Sequence, residues 1–171
     1  MTAGRYGHLL ADAPKGPPTD AEIAAIEEAV GASVPEELRE WLAAFNGGAL
    51  DYTFELATEA GPFPLCFYSV YSTRRPSPAR PAAGLILHEL AMERRLKELR
   101  PGLLPIAGDG GTSVLYVDLA PERRGRVVAY VEGLPAWDGT TEGCFVAVAS
   151  DLPAYAAGLY LNTVEEPKRG G

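Results

Sequence analysis

Residues 18–48 read PTDAEIAAIEEAVGASVPEELREWLAAFNGG and carry the signatures of two helices joined by a short turn. Thr19 and Glu22 have the spacing of a capping box, in which each side chain satisfies a backbone N–H left free at a helix start. Ile23, Ile26 and Val30 then fall on one helical face, and Gly31 ends the run. Pro35, with its fixed φ, suits the first position of a second helix. Leu38, Trp41, Leu42 and Phe45 form the apolar stripe of that helix, which places Trp41 in the core. Asn46-Gly47-Gly48 stops it, because Asn and Gly accept the left-handed backbone found just past helix ends.

On the N-terminal side, residues 1–16 mix Gly, Pro, Ala and charge without period and read as a flexible leader. On the C-terminal side, Leu50 to Tyr71 is strand-like, with Phe67, Tyr68, Val70 and Tyr71 as strand formers and Gly61-Pro62 as a turn. Thr73 to Pro81 is rich in proline and arginine and reads as a solvated loop. A third helix is expected from about Leu85 to Leu99, with Leu85, Met92, Leu96 and Leu99 on its apolar face, ended by Pro101-Gly102. Strands follow at Leu103 to Ala107, Ser113 to Asp118, Arg126 to Glu132 and Cys144 to Ala149. A final helix is expected over about Leu152 to Leu161, and residues 162–171 as a flexible tail. The order of elements predicts an α+β fold: a mainly antiparallel sheet with an N-terminal helix pair, a middle helix and a C-terminal helix packed against it.

The pieces now in place resemble the SUKH superfamily, which includes cell-wall-assembly regulators and bacterial toxin-immunity proteins. The resemblance is carried by Pro18 to Ile23, Val34 to Leu38, Trp41-Leu42 and Phe45-Asn46-Gly47-Gly48. A second block is Leu103-Leu104-Pro105-Ile106-Ala107 followed by Gly108-Asp109-Gly110-Gly111 and the strand Ser113 to Asp118. The closing Phe145 to Leu161 takes the place of the family's last strand and helix, so the likeness defines a domain over residues 17–161. The resemblance implies a protein that binds other proteins, and it offers no catalytic residues to carry over.

The residues themselves argue against an active centre. The chain holds only two histidines, His8 and His88. No G-x-S-x-G elbow is present, and a nucleophile needs a base and an orienting acid beside it. His88-Glu89 opens like a zinc-protease motif, but the required second histidine is absent, with Met92 in its place. His88 itself falls near the third helix's stripe and is expected to be partly buried with a hydrogen-bond partner. Gly108-Asp109-Gly110-Gly111 lies between strands and is followed by no Gly-Lys-Ser/Thr, so it reads as a tight turn rather than a phosphate cradle. Cys66 and Cys144 fit neither a zinc spacing nor a CxxC motif and read as reduced core thiols. Neither a metal nor a cofactor is expected, and the protein is read as not an enzyme.

The charge balance directs attention to a partner. The net charge is −8, which disfavours nucleic acid. Between Asp20 and Trp41 seven acids stand against the single base Arg39, leaving −6 in that segment. Acids favour helix N-terminal turns and solvated faces, and that accounts for much of the pattern. The functional reading is an acidic patch that speeds and selects a basic partner. Glu36, Glu37, Glu40 and Asp51 are its candidate partner-facing groups. Trp137, in the turn-rich Pro135-Ala136-Trp137-Asp138-Gly139, is either an interface anchor or packed over a sheet edge. With no secretory signal in Met1 to Gly16 and no spanning segment, a cytoplasmic monomer or weak homodimer is expected. The expected function is stoichiometric neutralisation of a bacterial toxin; the alternatives are a regulatory scaffold without a toxin partner and a small-molecule-binding domain.

Overall fold

The computed structural model describes residues 4–75 and 83–161. Helix α1 spans Asp20–Val30 and α2 spans Glu36–Phe45. They are followed by strands β1 (Tyr52–Thr58), β2 (Gly61–Leu65) and β3 (Ser69–Val70), then helix α3 (Ile86–Lys97). Strands β4 (Leu103–Gly108), β5 (Val114–Asp118), β6 (Val127–Tyr130) and β7 (Phe145–Ala149) precede helix α4 (Leu152–Ala157) and strand β8 (Tyr160–Leu161). The fold is α+β, with helices packed against antiparallel sheets, as the sequence predicts.

The main sheet has the order β3-β4-β5-β6-β7 and is antiparallel throughout. Every residue of β4, β5 and β6 is buried, so their nearly continuous apolar runs reflect cover on both faces. A second, three-stranded sheet has the order β2-β1-β8. Here the sequence reading of one closing helix out to Leu161 is corrected. The helix stops at Gly158, and Tyr160 and Leu161 pair with Thr53 and Tyr52 of β1.

The helix pair forms for the reasons its sequence contains. Thr19 Oγ1 accepts from the Glu22 amide, Glu22 Oε2 accepts from the Thr19 amide, and α1 ends at Gly31 with φ 76°. Leu38, Trp41, Leu42 and Phe45 are all buried. Pro35 sits one position earlier than expected, at the cap rather than inside the helix. Gly47 alone takes the left-handed turn, with φ 67°. Asn46 stays outside that region, and its buried side chain is used elsewhere. Its Nδ2 donates to Gly16 O and Thr73 Oγ1, and its Oδ1 accepts from the Thr73 amide, so one amide ties three chain segments together.

The N-terminal segment departs from its expected character as a leader. Tyr6 and Leu9 are buried in the core. Tyr6 packs edge-on against Trp41 with ring centroids 5.4 Å apart, and its hydroxyl donates to the Glu37 carbonyl. Asp12 and Ala49 exchange backbone hydrogen bonds, and the Lys15 amide donates to Asn46 O. Two apolar anchors spaced among Gly and Pro leave no periodic signal, which is why the sequence reads as structureless. The tail over residues 162–171 and the central part of the Pro/Arg loop, residues 76–82 with Arg80, lie outside the described residues.

Helix α3 also differs from expectation. Its buried face is Ile86, Leu90 and Glu93, while Leu96 is 65% exposed and Met92 is only half-buried. His88 is exposed rather than partly buried. The reason is a polar cluster between α3 and the sheet. Glu93 Oε2 accepts from the Tyr116 hydroxyl and forms an ion pair with Lys97 Nζ at 2.7 Å. Lys97 also donates to Thr112 O and lies 4.0 Å from the centroid of the Tyr130 ring. A buried charge pair with this many partners satisfies itself, and the helix turns its charged face inward to make it.

Candidate functional site

The acidic segment singled out in the sequence lies on α1 and α2, and three of its seven acids face arginines of the same chain. Glu27 Oε1 accepts from Arg39 at 3.1 Å and from the Val34 amide, which fixes the α1–α2 turn. Glu22 Oε1 accepts from Arg74 Nε at 3.0 Å. Glu40 Oε2 lies 3.4 Å from Arg5 Nε. Burial raises the Glu22 carboxyl, but the Thr19 amide, the Thr73 hydroxyl and Arg74 together outweigh it and hold it below the ordinary carboxylate range.

Arg74 corrects the reading of its loop as solvated. Its guanidinium binds Glu22, Lys15 O and Pro17 O, and so clamps the N-terminal segment to the start of α1. Arg75, next to it, is exposed.

Glu36 and Glu37 occupy the first turn of α2, where the helix dipole favours them, and no ion pair involves either among the described residues. Glu36 is exposed and Glu37 half-buried. Helical spacing puts Glu36, Glu40, Ala43 and Ala44 along one outer face, acidic at its start and apolar at its end. The N-terminal segment runs beside this face and closes a groove of about 490 Å³. Leu9, Leu10, Pro14, Ala43, Ala44 and Phe45 supply apolar lining, and Arg5 and Glu40 supply its charge. Sequence reasoning missed this groove because half of it belongs to the segment taken for a leader. Tyr6 and Leu9 are too few to set a period, so the sequence offered no usable signal for it.

Asp51 is exposed just before β1; burial first, and then the charges of Asp51 and Asp109, push the Cys66 thiol up. Trp137 is 46% exposed, with its indole N–H bonded to Thr140 O within its own loop. Nothing in the described contacts joins Asp51 or Trp137 to the acidic face of α2. Both cysteines are free; Cys144 is buried and Cys66 half-buried. Among the described residues no group of three or more His, Cys, Asp or Glu side chains could hold a metal ion, and no helix is long and apolar enough to cross a membrane.

A helix pair with a capped start and a glycine stop, packed with antiparallel sheets, defines an α+β domain. The chain belongs to the SMI1 / KNR4 family (SUKH-1), whose sequence signature matches residues 17–157. No curated protein and no solved structure matches it. The SUKH family includes toxin-immunity proteins and Smi1/Knr4 regulators, and its domains bind protein partners.

Proposed function

We propose that this chain is an immunity protein that neutralises a cognate bacterial toxin by stoichiometric binding, acting in the cytoplasm without catalysis of its own. The outer face of α2 meets a basic surface of the toxin's catalytic domain and blocks its active site. The observation that carries this reading is the position of Glu36 and Glu37. They stand at a helix start with no internal counter-charge among the described residues, while Glu22, Glu27 and Glu40 face arginines of the same chain. Unmatched charge at an interface acts mainly on association rate and specificity. Asp51 and Trp137 serve as additional contacts, with Trp137 presenting a ring already fixed by its hydrogen bond to Thr140.

The test is binding of the purified chain to the product of the adjacent open reading frame, followed at low and high salt. The variant Glu36→Lys/Glu37→Lys is expected to lower the association rate by about tenfold at low salt and by less at high salt, as screening shortens the reach of these charges. Binding that is indifferent to both the salt and the charge reversal would remove α2 from the interface. Absence of any complex would remove the immunity reading itself.

A further inference from the structure

The groove beside α2 has chemistry that selects its occupant. Its lining is largely apolar, and Leu10, which borders it, is 80% exposed. At the acidic end, Glu40 Oε2 is shut off from solvent yet makes no hydrogen bond. Its counter-charge, Arg5 Nε, stands 3.4 Å away without hydrogen-bond geometry, whereas Glu22 and Glu27 are each hydrogen-bonded by their arginines. A sequestered carboxylate oxygen with unused acceptor capacity gains from a well-placed donor, and a charge-assisted hydrogen bond is among the stronger ones available. Glu36 lies one turn before Glu40 on the same face and adds like charge.

We infer that this groove is the seat of a partner segment that pairs an aliphatic side chain with an adjacent arginine. The aliphatic group fills the space between Leu10 and Ala43/Ala44, and the guanidinium takes the place of Arg5 on Glu40. Arg5 then acts as an internal stand-in that keeps Glu40 neutralised until the partner arrives. The groove is complementary to such a segment: an apolar floor meets the aliphatic group, and Glu36, Glu37 and Glu40 on a chain of net charge −8 meet the cation. The inference rests on the reading of the chain as a protein-binding domain and names what that face recognises.

The experiment is an NMR titration of the isotope-labelled full chain with three synthetic peptides of equal length, built from leucine and arginine, leucine and glutamate, or serine and arginine. Saturable shifts at the amides of Gly7, Leu10, Ala43 and Ala44 are expected with the leucine–arginine peptide alone. Ala44→Arg fills the groove and sets a cation beside Glu40, at an exposed position that leaves the fold intact. It is expected to weaken that peptide by about tenfold or more. Arg5→Ser removes the stand-in and is expected to tighten binding several-fold. Equal binding of the leucine–glutamate peptide, shifts outside the groove, no binding at all, or weaker binding by Arg5→Ser would each overturn the inference. Self-association of the chain that Ala44→Arg abolishes would assign the groove to a second copy and overturn it as well. The two readings fail separately. A toxin complex unaffected by Ala44→Arg defeats the groove and leaves immunity standing, and peptide binding without any toxin complex does the reverse.

Discussion

Helices α2 and α3 run for 10 and 12 residues and contribute to one core, but they bury different chemistry. Helix α2 buries Leu38, Trp41, Leu42 and Phe45 and fully buries none of its acids. Helix α3 buries Ile86 and Leu90 together with Glu93, and leaves Leu96 outside. A binary pattern of apolar and polar residues reports the inward face only when the surface being covered is apolar. Under α2 it is, with Tyr6, Phe45 and Tyr155 around Trp41. Under α3 the sheet offers the Tyr116 hydroxyl, the Thr112 carbonyl and the Tyr130 ring, and a charge pair satisfies them.

The largest effect is expected on the apolar side, at α2. Trp41→Ala removes a ring packed against three other aromatics, and a large cavity in a close-packed core costs about 3–5 kcal/mol. Chemical unfolding followed by circular dichroism is the measurement. A loss below about 1 kcal/mol would mean that α2 does not anchor the core, since surface substitutions stay within that range.

The polar side gives a smaller but more diagnostic effect. Glu93→Met leaves the Tyr116 hydroxyl without its acceptor and Lys97 without its counter-charge, and Lys97→Met leaves Glu93 without its own. Each is expected to cost about 3 kcal/mol, because breaking one half of a buried pair strands the other. Burial and then the Glu93 hydrogen bond raise the Tyr116 hydroxyl well above its ordinary pKa, so Tyr116 remains a donor across the working range. Replacing both charges, with Tyr116→Phe to remove the stranded hydroxyl, is expected to cost clearly less than either single change. Additive losses in this cycle would show that Glu93 and Lys97 act independently.

Legibility in the sequence follows the same division. The capping box at Thr19 and Glu22, the stripe of α2 and the Gly47 turn are local, and each was readable within a window of a few residues. The Gly108–Gly111 turn was readable too, and the structure adds the Asp109 carboxylate accepting from the Gly111 amide. What escaped was long-range. Glu22 doubles as a partner of Arg74, Asn46 as a partner of Gly16 and Thr73, and Tyr6 as a partner of Trp41, and no local pattern encodes any of these. The acidic segment was legible as charge, but its sorting into paired acids and Glu36 and Glu37, unpaired among the described residues, depended on arginines elsewhere in the chain. The groove was hidden for the same reason.

The smallest expected effect is the sharpest test of how α3 is turned. The apolar pattern of this helix assigns Leu96 to the core, where truncating a leucine costs about 2–5 kcal/mol. The structure exposes it and buries Leu90 instead. Leu96→Gln keeps a good helix former on a solvated face, so it is expected to change stability by no more than about 0.5 kcal/mol. Leu90→Ala, six residues earlier on the inward face, serves as the control and is expected to show the full core penalty. The two results exchange places if the helix is rotated to bury its leucine stripe, and in that arrangement Glu93 would lose Tyr116. Unfolding curves of these two variants therefore decide whether α3 is held by apolar contact alone or by the charge pair it carries inward.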